Sequence, residues 1–126
     1  MSVISFKAQV ISAEKNREDK YYMVGLADGK FDYENYVILQ KAFKFDKDDI
    51  DAGMDGHYFE VNDQGNSAYK CCKKVILRKD SIEFILDSSR INDIENIVID
   101  VSGVKITAKF LEYLREILGN ILEESV

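Results

Sequence analysis

"KVILRKDSIEFILD", Lys74 to Asp87, decides the fold. Two apolar runs flank Lys79 and Asp80, and in the second of them Ile82, Phe84 and Leu86 alternate with Glu83 and Ile85. Alternation of that kind is the period of a strand with one face buried. The stretch reads as a hairpin, with one strand over Tyr69 to Arg78 and its partner over Ile82 to Leu86.

Upstream of the hairpin the same period recurs. Gly56 to Asn62 reads as a short strand, with Phe59 and Val61 on the side opposite Tyr58 and Glu60, and "NDQGNS" after it reads as a turn. Tyr36 to Gln40 is a β-branched and aromatic run, and Tyr21 to Ala27 puts Tyr22, Val24 and Leu26 on one face. Val3 to Ile11 is a further strand, separated from Tyr21 by the charged, helix-compatible "SAEKNREDK". Downstream, "DSSRINDIEN" is loop-like, and Ile97, Ile99 and Val101 alternate as a last strand. The period then changes: Ile106, Phe110, Leu114, Ile117, Leu118 and Ile121 share one side of a helix, with Ser102 or Thr107 as its N-cap. The pattern predicts an α+β fold, a mainly antiparallel sheet of about six to seven strands with a C-terminal amphipathic helix packed on one face. With no proline and no linker, residues 1–126 read as a single domain.

Composition narrows the class of partner. Of 126 residues 46% are hydrophobic and 32% charged, the balance of a globular protein and not of a disordered tail. A net charge of −6 disfavours a nucleic-acid backbone or an anionic membrane, since either repels an acidic protein. The two cysteines, Cys71 and Cys72, are adjacent, which suits a reducing compartment and no disulfide framework. The N-terminus lacks the pattern of a signal peptide. Cytoplasm is the expected location.

The residues that catalysis would need are sparse. His57 is the only histidine, and it reads as an imidazole near the end of a strand with one hydrogen bond. Neighbouring residues of an extended strand point to opposite faces, so Cys71 and Cys72 are not expected to form a redox pair. The glycines build no phosphate-binding loop. Asp49, Asp51, Asp55 and Glu60 fall at positions one, three, seven and twelve of a calcium loop, but Gly53 and Met54 occupy positions five and six, where an oxygen ligand and a glycine are required. The expectation is no metal, no cofactor and no enzyme. A carboxylate pair such as Asp63 and Glu60 is the one catalytic alternative, and it needs a deep pocket.

Between Tyr22 and Leu86 the chain resembles the immunity protein 10 family of bacterial polymorphic toxin systems. The resemblance rests on "YYMVGLAD", on "YVILQKAFKFDKDDIDAGMDGHYFEVNDQGNSAY" and on the hairpin, with "LQK", "GMD", "YFE" and "NDQ" as its most family-like pieces. It implies a small intracellular protein that binds a cognate toxin domain and neutralises it without chemistry. Many toxins of such systems are nucleases with basic surfaces, which an acidic partner approaches faster through charge. On that reading the acidic run faces the partner, through Asp46, Asp48, Asp49, Asp51 and Asp55, with Tyr58 as an aromatic anchor. The alternative role for the run is structural, with its Asp side chains capping turns and Ile50 and Met54 filling the core. A functional alternative is a structural or regulatory module that self-associates. Oligomeric state and the identity of the toxin are open at this level.

Overall fold

The computed structural model describes residues 2–125 and lays out ten strands in two five-stranded sheets, with two α-helices. The strands are β1 (Ser2–Lys7), β2 (Val10–Asn16), β3 (Tyr21–Ala27), β4 (Tyr36–Ala42), β5 (Tyr58–Val61), β6 (Asp63–Tyr69), β7 (Cys72–Arg78), β8 (Ser81–Leu86), β9 (Ile94–Asp100) and β10 (Leu122–Ser125). The helices are α1 (Lys47–Asp51) and α2 (Ala108–Leu118). Sheet one runs β1-β9-β8-β7-β10, with parallel pairings only at its two edges. Sheet two is the antiparallel meander β2-β3-β4-β5-β6. The fold is thus α+β, mostly antiparallel sheet, with a C-terminal helix.

The hairpin forms as read, with Val75 opposite Phe84 and Leu77 opposite Ile82. Its first strand starts at Cys72 and not at Tyr69, because Lys70 adopts a left-handed backbone, φ 57°, and turns the chain from sheet two into sheet one. A similar crossing divides Val3–Ile11. Ala8, fully buried, sends its N–H to Asp100 in sheet one, while the next amide, that of Gln9, bonds Ala27 in sheet two.

Two polar stretches turn out to be strand. "SAEKNREDK" continues β2 as far as Asn16, whose Oδ1 accepts the Asp19 amide at 2.8 Å and sets the turn; Lys20 then takes φ 61°. Its charged side chains are tolerated because β2 is an edge strand. "NDQGNS" is β6 except for its first residue: Asn62, at φ 64°, makes the turn alone, and its Oδ1 accepts the Tyr36 amide at 2.8 Å. Pairing within a sheet overrides the weak strand preference of such residues.

The inner faces of the sheets share one core. Phe59 of sheet two meets Phe84 of sheet one with ring centroids 5.5 Å apart, and both are fully buried. Helix α2 packs on the same inner face of sheet two, against β2, β3 and β4, and Tyr113 lies 5.4 Å from Tyr22. Thr107 is the N-cap, its Oγ1 accepting the Phe110 amide at 3.1 Å. Phe110, Leu114, Ile117 and Leu118 are the buried stripe, each worth about 1.5–3 kcal/mol of transfer free energy. With its inner face occupied, sheet two has only its outer face for other work.

Candidate functional site

The acidic run folds into something more definite than a loop. Asp46 caps α1: its Oδ1 accepts the Asp49 amide at 2.8 Å, and Asp49 Oδ2 accepts the Asp46 amide at 3.1 Å. That reciprocal pair satisfies two helix-end donors and puts carboxylates against the positive end of the short helix. Asp55 accepts from the Lys70 ammonium at 2.7 Å, and this bond holds its carboxyl below the usual range. Asp48 and Asp51 are exposed. Ile50 and Met54, expected in the core under the structural reading, are 55% and 39% exposed. Five residues cannot close a core around themselves, so the apolar members of α1 and its C-terminal turn face water.

Beside α1 lies a groove of about 200 Å³ on the outer face of sheet two. Register explains its lining: Tyr21 sits opposite Ala42, Gln40 opposite Tyr58, and Tyr58 opposite Tyr69, all pointing away from the core. Asp49 and Met54 close it from the α1 side. Of the expected partner-binding residues, Asp49 and Tyr58 therefore meet in one place. Asp46, Asp48, Asp51 and Asp55 do not line the groove, although all five carboxylates belong to α1 or its flanks.

At the back of this face stands a residue that the charge pattern of the sequence did not single out for binding. Glu60 is 8% exposed, and its two carboxylate oxygens accept from Tyr36 Oη at 2.5 Å and Tyr58 Oη at 2.7 Å. Burial and the carboxylate acceptor push both phenol pKa values up, so each keeps its proton and stays a donor. Tyr69 packs edge-on against Tyr58 at 5.4 Å. The signal available in the sequence was the outward alternation of Tyr36, Ile38 and Gln40 with Tyr58 and Glu60. The catalytic alternative fares poorly: Asp63 is exposed and accepts the Gly65 amide at 2.9 Å, and Ser67, not Asp63, stands opposite Glu60. A second groove, at the β2–β3 turn, has the opposite character, with Lys15, Arg17, Lys20 and Lys44 gathered round Phe43. Cations dominate that second groove, and Asp19 is the one carboxylate that lines both.

His57 does end up with one hydrogen bond, its Nε2 accepting the Cys72 amide at 3.1 Å. The sequence places the two cysteines on opposite faces of a strand, and the structure brings them together. The left-handed Lys70 and a register shift between Cys72 and Lys74 bury both thiols, at 0% and 6% exposure, within reach of His57. The Cys72 thiol donates to Cys71, and with His57 alongside this draws Cys71 down to about 6, while burial pushes Cys72 well above an ordinary thiol.

The fold and this face define a class: a small two-sheet α+β protein with an open, aromatic and acid-rimmed groove. Among the described residues no helix is long and apolar enough to cross a membrane. The chain belongs to the immunity protein 10 family, whose family model matches residues 7–107. That span takes in all of sheet two, the groove, α1 and the three central strands of sheet one, and ends at the N-cap of α2. No curated protein and no solved structure matches the chain.

Proposed function

We propose that this member of an immunity protein family neutralises a cognate toxin domain by protein–protein contact, with α1 and the outer face of sheet two turned toward a basic surface of the toxin. The observation that carries this reading is the groove in which Asp49 and Tyr58 meet over the buried Glu60. Aromatic side chains with a polar tip, set in a groove, are what dominates interface free energies, and local negative charge speeds encounter with a cationic partner. A toxin that cuts nucleic acid, whose substrate is itself polyanionic, is the partner class that best complements this face. No substrate is turned over: the protein works by occupying the surface. Residues 1–126 act as one domain in the cytoplasm, a compartment that suits two free, adjacent thiols.

The test is co-expression with a toxin domain encoded in a neighbouring reading frame, followed by association kinetics over a range of salt. The expected outcome is rescue of growth, with an association rate that falls as salt rises and falls less steeply in an Asp48→Asn, Asp51→Asn variant. Rescue with a salt-independent rate would remove α1 from the interface. Failure to bind or rescue, with a concentration-dependent increase in size of the protein alone, would replace the reading with self-association.

A further inference from the structure

Where the chain leaves sheet two for sheet one it brings together three groups that soft metal ions prefer. One ligand atom each from His57, Cys71 and Cys72 lies within 4.8 Å of the other two, and all three residues are buried. His57 immediately precedes β5 in sheet two, Cys71 sits between β6 and β7, and Cys72 opens β7 in sheet one. The corner is held from outside the cluster: the Lys70 amide bonds the His57 carbonyl at 2.8 Å, and the Asp87 amide bonds the Cys71 carbonyl at 2.8 Å. We propose that His57, Cys71 and Cys72 form a binding site for one soft, monovalent metal ion of the copper(I) type, which pins the two sheets together at this corner.

Donor type comes first. Two sulfurs and an imidazole nitrogen select copper(I) or zinc over the hard ions that prefer oxygen. Number comes second. Among the described residues no fourth His, Cys, Asp or Glu joins the group, and a structural zinc site wants four ligands. A buried corner does not readily supply a water as the fourth, whereas copper(I) is content with three. Distance comes third. Ligand atoms bound to one such ion stand roughly 3.5–4 Å apart, given metal–ligand bonds of about 2.0–2.3 Å. Side-chain rotation of a fraction of an ångström to about one ångström closes the cluster to that size. On binding, the ion takes up both sulfurs as thiolates, and protons still on them leave to solvent. Coordination through Nε2 requires loss of the 3.1 Å bond from the Cys72 amide, whereas coordination through Nδ1 leaves that bond in place.

The experiment is an anaerobic titration of the reduced, metal-free full chain with copper(I) held by a chromophoric chelator, alongside the same titration with zinc. The expected result is that one equivalent of copper(I) leaves the chelator and a thiolate-to-copper charge-transfer band grows in the ultraviolet. X-ray absorption of the loaded wild-type protein should show two sulfurs and one nitrogen around the ion. Cys71→Ala and Cys72→Ala should each weaken binding by about 100-fold or more, and His57→Ala by about 10-fold or more. If a variant is poorly folded, the wild-type absorption spectrum still decides. No transfer of copper(I), a coordination shell of oxygen and nitrogen, or zinc held more tightly than copper would overturn the proposal. None of these outcomes bears on toxin binding, which uses the opposite side of β5.

Discussion

On the outer face of sheet one, Glu83 is met by Arg78 at 2.9 Å and by Asn96 at 2.7 Å; on the outer face of sheet two, Glu60 is met by two phenols and, among the described residues, by no cation. The two carboxylates occupy comparable places, each outward on a strand whose inward neighbours build the common core. One has its counter-charge in the same chain, and the other is solvated by dipoles. A cross-strand ion pair closes a surface, because its charges are already answered. A carboxylate held by neutral donors keeps its negative field, and the aromatic rings around it offer a cation a second attraction through their faces. The difference teaches where a partner is missing: the buried carboxylate of sheet two has no counter-charge among the described residues and stands among aromatic rings, whereas its counterpart on sheet one is already paired.

The comparison assumes that both faces rest on one core, and the largest predicted effect tests that. Phe59→Ala, which removes the ring that meets Phe84, should cost about 3–5 kcal/mol and still give a single unfolding transition in urea. Two separate transitions would mean that the sheets are independent, and the contrast between their faces would lose its meaning. Next in size, Tyr58→Ala should weaken toxin binding by about 2 kcal/mol, measured by calorimetry, while Arg78→Ala on the other face should leave affinity within about twofold. Asp46→Ala should cost about 1 kcal/mol through loss of the α1 cap, seen as faster amide exchange over residues 47–52 with the rest of sheet two unchanged.

The smallest effect concerns acid. Glu83 has its folded-state pKa depressed, first by the Asn96 hydrogen bond and then by Arg78. Its contribution to stability is therefore complete above the ordinary carboxylate range, about 4.3, and is lost as pH falls through the lower folded value. The loss should be under about 1 kcal/mol, because the pair is partly exposed. Melting scans from about pH 6 to about pH 3 should show a smaller acid decline in Glu83→Gln than in the parent. Equal declines would mean that the ion pair does not close that face.

Much of this was legible before the coordinates, and the exceptions have a common cause. Ile82, Phe84 and Leu86 announced their strand because one face of it is buried, and the i, i+4 spacing of Phe110 and Leu114 announced α2 for the same reason. What the pattern could not convey was the number of sheets. Alternation runs unbroken through Ala8, and only the long-range partners of its amide and the next one reveal that the chain changes sheets there. β6 was hidden because Asp63, Gln64, Gly65 and Asn66 carry turn chemistry and owe their strand geometry to β5. The site is legible in part: Tyr58 and Asp49 are expected at the interface and converge in the groove, whereas Glu60, which the sequence offers only as a calcium-loop position or a partner for Asp63, is instead held by the phenols of Tyr36 and Tyr58. The thiol cluster was missed because one left-handed residue, Lys70, breaks the two-residue period on which opposite faces depend.

The most direct test of the central claim, that α1 and the outer face of sheet two meet the toxin, is amide hydrogen exchange with and without a bound toxin domain. The claim predicts that added protection concentrates on α1 and on β4 to β6, while β8 and β9 exchange as they do in the free protein. Protection centred on Arg78, Glu83 and Asn96, with the tyrosine face unchanged, would contradict it.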